Sequence, residues 1–285
     1  MKSIYRSTEG REIVRGWCVD RLSAWSMPHE CVVSYAHGAQ THLVVAGSGT
    51  TTVVFVPGTN FNAAVSLPLG AALSRRYRVI IPDVPGQPGL SSDERDRSSR
   101  GLAWYGAWLD DVVELAADGG GPVVVMGHSF GGAIALSARS PAISGRVLVS
   151  SGGLCPLQVT PAILIASLAW ICRPGSRSSA RLIRAMSAPG REPRGDLVEW
   201  MTLVARHSRS SGAPGQATIV ANTIPTVLTT GTRDVFVPPG RLAPAAHRKL
   251  GLEVDAVTDG GHLLVEECPE HLTALVDHLI VRHGL

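Results

Sequence analysis

Apolar residues along the chain follow two alternating rhythms. Short runs rich in valine and isoleucine occupy 41–47, 51–58, 77–83, 123–126, 146–151, 224–231 and 252–258. Between them, at 63–76, 101–117, 239–249 and 269–282, the pattern is helical; in 101–117 the apolar positions are Leu102, Trp104, Trp108, Val112 and Leu115. Runs that short and that continuously apolar predict strands buried on both faces, and the helical stretches predict the helices that cover them. The fold class this implies is α/β, a mostly parallel central sheet with helices on both faces. Ahead of it, 7–25 predicts a helix capped by Ser7. Glu9 and Glu12 suit its positive end, and Val14, Trp17, Cys18, Leu22 and Trp25 fall near one face. Pro28 ends it, and 31–37 and 41–47 read as a hairpin about Gly38.

The alternation stops near Gly153. Residues 154–222 hold helical pieces, prolines, glycines and many arginines, with no clear strand. The chain therefore divides into a core of 1–153 and 223–285, in which 1–30 form an N-terminal helical extension, and an inserted helical lid of 154–222. The insertion leaves from the end of the run at 146–151. Carboxyl ends of strands in an open α/β sheet line the ligand crevice, so the insertion is expected over the cleft. A surface decoration is the alternative.

Composition narrows the class. Of 285 residues, 45% are hydrophobic and 17% charged, which describes a packed globule. A net charge of +3 with scattered arginines leaves no footprint for nucleic acid. The five cysteines have no C-x-x-C spacing, which argues against a disulfide framework or zinc site and for a reducing compartment. The first residues lack an apolar core of signal-peptide length, and the longest apolar run, beginning at Pro161, is too short to span a bilayer. A cytoplasmic protein without a membrane span is expected; its oligomeric state is left open.

The chemistry centres on 122–132, PVVVMGHSFGG. A strand runs into Gly127-His128-Ser129-Phe130-Gly131 and a small-residue helix follows. A serine projecting from the end of a strand sits on a sharp turn, and glycines two positions to either side relieve the crowding. The alternative is a glycine-rich turn without chemistry. A serine hydroxyl needs a general base. Of ten histidines, His262 is best placed, because it follows the run at 252–258 and two glycines and so lies at the same sheet edge as Ser129. His128, beside the serine, is expected to point away and to be structural. The base needs an orienting carboxylate, for which Asp234, just after 224–231, is favoured over Asp255 and Asp259. For an oxyanion, the amides of Thr59 and Phe130 are the candidate donors, with the side chain of Asn60 as a further one.

These parts together resemble the α/β-hydrolase fold superfamily over nearly the whole chain. The order Ser129, Asp234, His262 is that superfamily's order, and the stretch from Asp83 to Ser92, PDVPGQPGLSS with the preceding proline, is similar to its Asp-x-Pro-Gly-x-Gly-x-Ser loop with Pro88 as an added residue. Members often carry His-Gly at the oxyanion strand, where this chain has Pro57-Gly58. The resemblance implies a catalytic triad of Ser129, Asp234 and His262 and a serine hydrolase acting on a carboxylic ester without cofactor or metal. Phe61, Leu164, Leu168 and Trp170, with Ile163 and Ile171, are the candidate apolar pocket for a small-molecule acyl substrate. Two alternatives stay open. One is a thioesterase, lactonase or cyclase on a carrier-bound or polyketide-like acyl chain, with Arg173, Arg177, Arg181 and Arg184 meeting an acyl carrier. The other is a binding protein of this fold that does not turn over.

Overall fold

The computed structural model describes residues 2–95, 101–209, 215, 217 and 223–285. Eight strands form its main sheet: β1 (His29–Ala36), β2 (Ala39–Ala46), β3 (Thr52–Val56), β4 (Arg78–Pro82), β5 (Val123–His128), β6 (Ile143–Val149), β7 (Thr226–Gly231) and β8 (Asp255–Val257). Their spatial order is β8-β7-β6-β5-β3-β4-β2-β1. The pairings from β4 through β8 are parallel, and β1 and β2 add an antiparallel edge.

Strand periodicity sends successive side chains to opposite faces. Val53 and Phe55 of β3, Val124 and Met126 of β5 and Val147 and Val149 of β6 enter one core, while Val54, Val56, Val123, Val125 and Leu148 enter the other. Each fully buried side chain of this kind contributes about 1.5–3 kcal/mol. The first core is closed by α1 (Thr8–Ser23), α2 (Leu67–Ser74) and α10 (Pro269–His283). The second is closed by α3 (Leu102–Ala117), α4 (Phe130–Ser137) and α8 (Pro239–Leu250).

Ser7 caps α1 by accepting from the amide of Gly10 at 3.0 Å, and Val14, Cys18 and Leu22 are its buried stripe. In α3 the buried stripe is Tyr105, Trp108, Leu109, Val112, Val113 and Ala116, while Leu115, expected inside, is 37% exposed. Trp108, expected inside, is fully buried and donates to Thr41 Oγ1 at 3.0 Å. Other boundaries also shift. The helix expected over 63–76 is confined to α2, since the amide of Ala63 is bonded to Asp83 and 62–66 turn instead. The strand expected over 252–258 shrinks to β8, an edge strand with one neighbour and two exposed residues. A four-residue helix, α9 (Leu264–Glu267), precedes α10 and has no counterpart in the sequence reading.

Between β6 and β7 the chain forms α5 (Pro161–Cys172), α6 (Ser176–Met186) and α7 (Gly195–His207). Among the described residues of 154–222, none joins the main sheet; 210–214, 216 and 218–222 lie outside the described residues. The buried faces of these three helices continue the first core. The N-terminal segment is bound to them. Tyr5 bridges Ser208, Trp17 packs on Trp200 with ring centroids 5.0 Å apart, and Arg21 pairs with Asp196. Among the described residues of 1–30, only α1 is helical, and the sheet already begins at His29.

Candidate active site

Three loops at the carboxyl ends of β5, β7 and β8 meet at one point. Ser129 follows β5 directly, with φ 52° and ψ −110°, a left-handed conformation that costs a non-glycine residue energy. The surroundings leave it no alternative. A Cβ on Gly127 would lie 2.5 Å from the carbonyl oxygen of Gly131, and one on Gly131 would lie 2.0 Å from that of Val56. Neither backbone can yield, so Gly131→Ala is expected to cost about 3 kcal/mol, read as a Tm lower by about 6–12 °C in a thermal melt. A Tm unchanged from wild type would contradict this account of the turn.

His262 Nε2 lies 3.0 Å from Ser129 Oγ, and His262 Nδ1 lies 3.0 and 2.9 Å from the two carboxylate oxygens of Asp234. A carboxylate only accepts, so Nδ1 carries the proton and Nε2 is left to accept from the serine hydroxyl. Asp234 is 3% exposed and His262 5%. Asp234 is held from behind: Oδ1 accepts from the amides of Phe236 (2.8 Å) and Val237 (2.9 Å), and Oδ2 from Thr230 Oγ1 (3.1 Å). Burial alone would push its carboxyl up. The facing imidazole of His262 and the two amides outweigh that and hold it well below the ordinary carboxylate range. Asp255 and Asp259, the rivals considered from sequence, face elsewhere: Asp255 bonds Thr229 and His271, and Asp259 lies beside Arg233.

His128 does not compete for the serine. Its Nε2–H donates to the carbonyl of His262 at 2.9 Å. Burial, with His262 adding to it, pushes its pKa down to about 3, so its ring is neutral at ordinary pH. Gly58, two residues past the end of β3, lies beside it, where a Cβ would sit 2.9 Å from His128 Nδ1 and 3.3 Å from Ser129 Cβ. That close approach brings Thr59 to the site. Among the described residues, neither the Thr59 amide nor the Phe130 amide at the start of α4 has an acceptor. Asn60, at φ 63°, is fixed by its main chain: its N–H donates to Gln87 Oε1 at 3.0 Å and its carbonyl accepts from Trp200 Nε1 at 2.7 Å.

A cavity of about 300 Å³ opens over Ser129. Its lining contains no Asp, Glu, Lys or Arg among the described residues. Phe61 and Trp170 line it; Trp170 Nε1 donates to the carbonyl of Met201 at 2.8 Å, which leaves an apolar ring face to the cavity. Leu164 and Leu168, placed in the pocket by the sequence reading, do not line it and are 50% and 52% exposed. The phase of α5 turns Ile163, Ala166 and Trp170 inward instead, with Ser167 and Ile171 reaching the cavity from the same helix. Leu182, Met186, Met201 and Phe236, absent from the sequence reading, supply much of the remaining wall. Arg173, Arg177 and Arg181 are exposed and away from the cavity, and Arg184 pairs with Glu192 at 2.7 Å. Among the described residues, no group of three or more His, Cys, Asp or Glu side chains is placed to hold a metal ion, and no helix is long and apolar enough to cross a membrane.

Comparison with known proteins agrees with this architecture. A sequence model of the alpha/beta hydrolase family matches residues 53–274. Among solved structures, a putative hydrolase from Bacillus subtilis superposes with a TM-score of 0.81 at 18% identity, covering 96% of this chain and 100% of its own. A carboxylesterase from Bacillus subtilis gives 0.76 at 18% identity over 96% and 99% of the two chains. Naproxen esterase from the same organism gives 0.74 at 19% identity over 93% and 96%. Compared with curated protein sequences, the chain matches none.

Proposed function

The chain belongs to the alpha/beta hydrolase family, and we propose that it is a serine hydrolase that cleaves a carboxylic ester through an acyl-enzyme intermediate. The observation that carries this is the relay from Asp234 through His262 to Ser129, with contacts of 2.9 and 3.0 Å, beneath a cavity with no charged lining. In this reading Ser129 Oγ attacks the ester carbonyl carbon as its proton passes to His262 Nε2. The imidazolium so formed is stabilised by the ionised Asp234 carboxylate. Negative charge gathers on the carbonyl oxygen, where the free amides of Thr59 and Phe130 and the N-terminal end of α4 receive it. His262 then returns the proton to the departing alcohol. A water molecule, deprotonated by His262, attacks the acyl carbon; Ser129 Oγ then leaves, taking that proton back from His262, and the acid is released.

Helices α5 to α7 act here as a lid, since Trp170, Leu182, Met186 and Met201, all from these helices, line the cavity with Ser129. The apolar, uncharged walls favour a neutral acyl or alcohol group over a charged one, because a charge placed there would lose its hydration without a partner. The test is a fluorophosphonate probe followed by a panel of p-nitrophenyl esters and acyl thioesters of matched chain length. Labelling of Ser129 with turnover of the esters is the expected result. Labelling without turnover of either panel would point to a binding protein, and turnover of thioesters alone would replace the ester assignment.

A further inference from the structure

His262 stands on a turn that its own sequence cannot stiffen, with Gly260 and Gly261 before it and a helix of four residues after it. Glycines lose more conformational freedom on ordering than other residues, so other groups must hold this turn. The hydrogen bonds name them. The N–H of His262 donates to the carbonyl of Met186 at the end of α6, 2.7 Å away, and its carbonyl accepts from His128 Nε2. One step earlier, the N–H of Gly261 donates to Glu267 Oε2 at 2.7 Å, and Glu267 Oε1 accepts from the N–H of Ala188 at 2.9 Å. One carboxylate therefore spans the turn that carries the proposed base and the segment leaving α6.

The two strands of chain are packed as closely as backbone allows. A Cβ on Gly261 would lie 2.4 Å from the carbonyl carbon of Ser187 and 2.5 Å from the nitrogen of Ala188. At such an approach the two N–H groups both need an acceptor and cannot serve each other. An ionised carboxylate, which only accepts and has two oxygens, satisfies both. Arg191 completes the knot, donating to the main-chain carbonyls of Glu266 at 2.8 Å and Glu267 at 3.0 Å. Glu267 does not line the cavity.

We propose that Glu267 is a positioning residue: its carboxylate pins the Gly261–His262 turn to the end of α6, so the base is held at Ser129 by the insertion rather than by the sheet edge alone. This rests on the serine-hydrolase reading above. Without the clasp the imidazole samples positions displaced from Ser129 and Asp234, and a displacement of about 1 Å costs on the order of 100-fold in rate.

The experiment compares wild type, Glu267→Ala, Glu267→Gln, Ser129→Ala and, as a control, Glu270→Ala. Glu270 sits on α10 beside Arg75 at 3.3 Å, away from the site. Rates are expressed per fluorophosphonate-titrated serine, so loss of folded protein alone leaves kcat unmoved. Glu267→Ala is expected to lower kcat by about 10- to 100-fold with KM changed by less than about threefold. Glu267→Gln, whose amide oxygen can accept one of the two N–H groups, falls between, and Glu270→Ala matches wild type. Glu267→Ala with wild-type kcat per labelled serine would overturn the proposal. If that variant yields too little folded protein, kcat and KM of Glu267→Gln per labelled serine decide it, a wild-type kcat again being contrary. A wild type that takes no label, with Ser129→Ala fully active, would instead overturn the serine-hydrolase reading and this proposal with it.

Discussion

Ser129→Ala is expected to abolish ester hydrolysis while leaving the fold standing. Ser129 lines the cavity, and its hydroxyl is the one bonded to His262 Nε2 among the described residues. Removing the nucleophile of such a relay in a well-studied protease costs about 10⁶-fold in kcat, and a loss of that order is expected here. Structural damage is expected to be small. The turn is held by main-chain bonds that alanine keeps, from the Ser129 amide to Val149 at 3.0 Å and from the Gly152 amide to the Ser129 carbonyl at 2.9 Å. Alanine also takes the same left-handed φ at no greater cost than serine. Circular dichroism and a Tm within about 3 °C of wild type would show the fold intact. A variant that turns over at half the wild-type rate would exclude Ser129 as nucleophile.

Asp234→Asn should cut kcat by about 10⁴-fold, the cost of the analogous change in a serine protease. The local bonds say why. The amides of Phe236 and Val237 both donate to Oδ1, so the oxygen of an asparagine must occupy that position and its NH₂ must take the place of Oδ2. That NH₂ then faces His262 Nδ1, 2.9 Å away, and donates to it. The imidazole is driven to the tautomer with its proton on Nε2, and no basic nitrogen faces Ser129. The carboxylate's charge is lost as well, and with it the stabilisation of imidazolium. Asp255→Asn and Asp259→Asn should stay within a few-fold of wild type, because neither carboxylate contacts His262. Steady-state kinetics on the three variants check this. A crippled Asp255→Asn or Asp259→Asn beside a near-normal Asp234→Asn would contradict the assignment of the acid.

The meeting of Ser129, His262 and Asp234 is legible in the sequence because each follows a strand of one parallel sheet, and strands that run the same way end at the same edge. The flanking glycines of Ser129 add a steric signature that few other turns need. The cavity is not legible in the same way. Helix α5 is apolar on all sides, so its sequence holds no contrast between an inner and an outer face, and Leu164 and Leu168 read as well for a pocket wall as Ile163 and Trp170. Its rotation is set by packing on α6 and α7, which no local pattern encodes. Met186, Met201 and Phe236 reach the cavity from three separate elements with no spacing that links them to Ser129. Glu267 is the least legible of all. It reads as one more acid at the start of the last helix, and its meaning lies in two amides brought together only by the fold.

The account is tested most directly by rapid-quench mass spectrometry of the protein mixed with a p-nitrophenyl ester. A mass increase equal to the acyl group, located on the peptide that carries Ser129, formed together with the p-nitrophenol burst and absent from Ser129→Ala, is the predicted result. Steady hydrolysis by wild type with no acyl adduct on that peptide, and undiminished hydrolysis by Ser129→Ala, would contradict it.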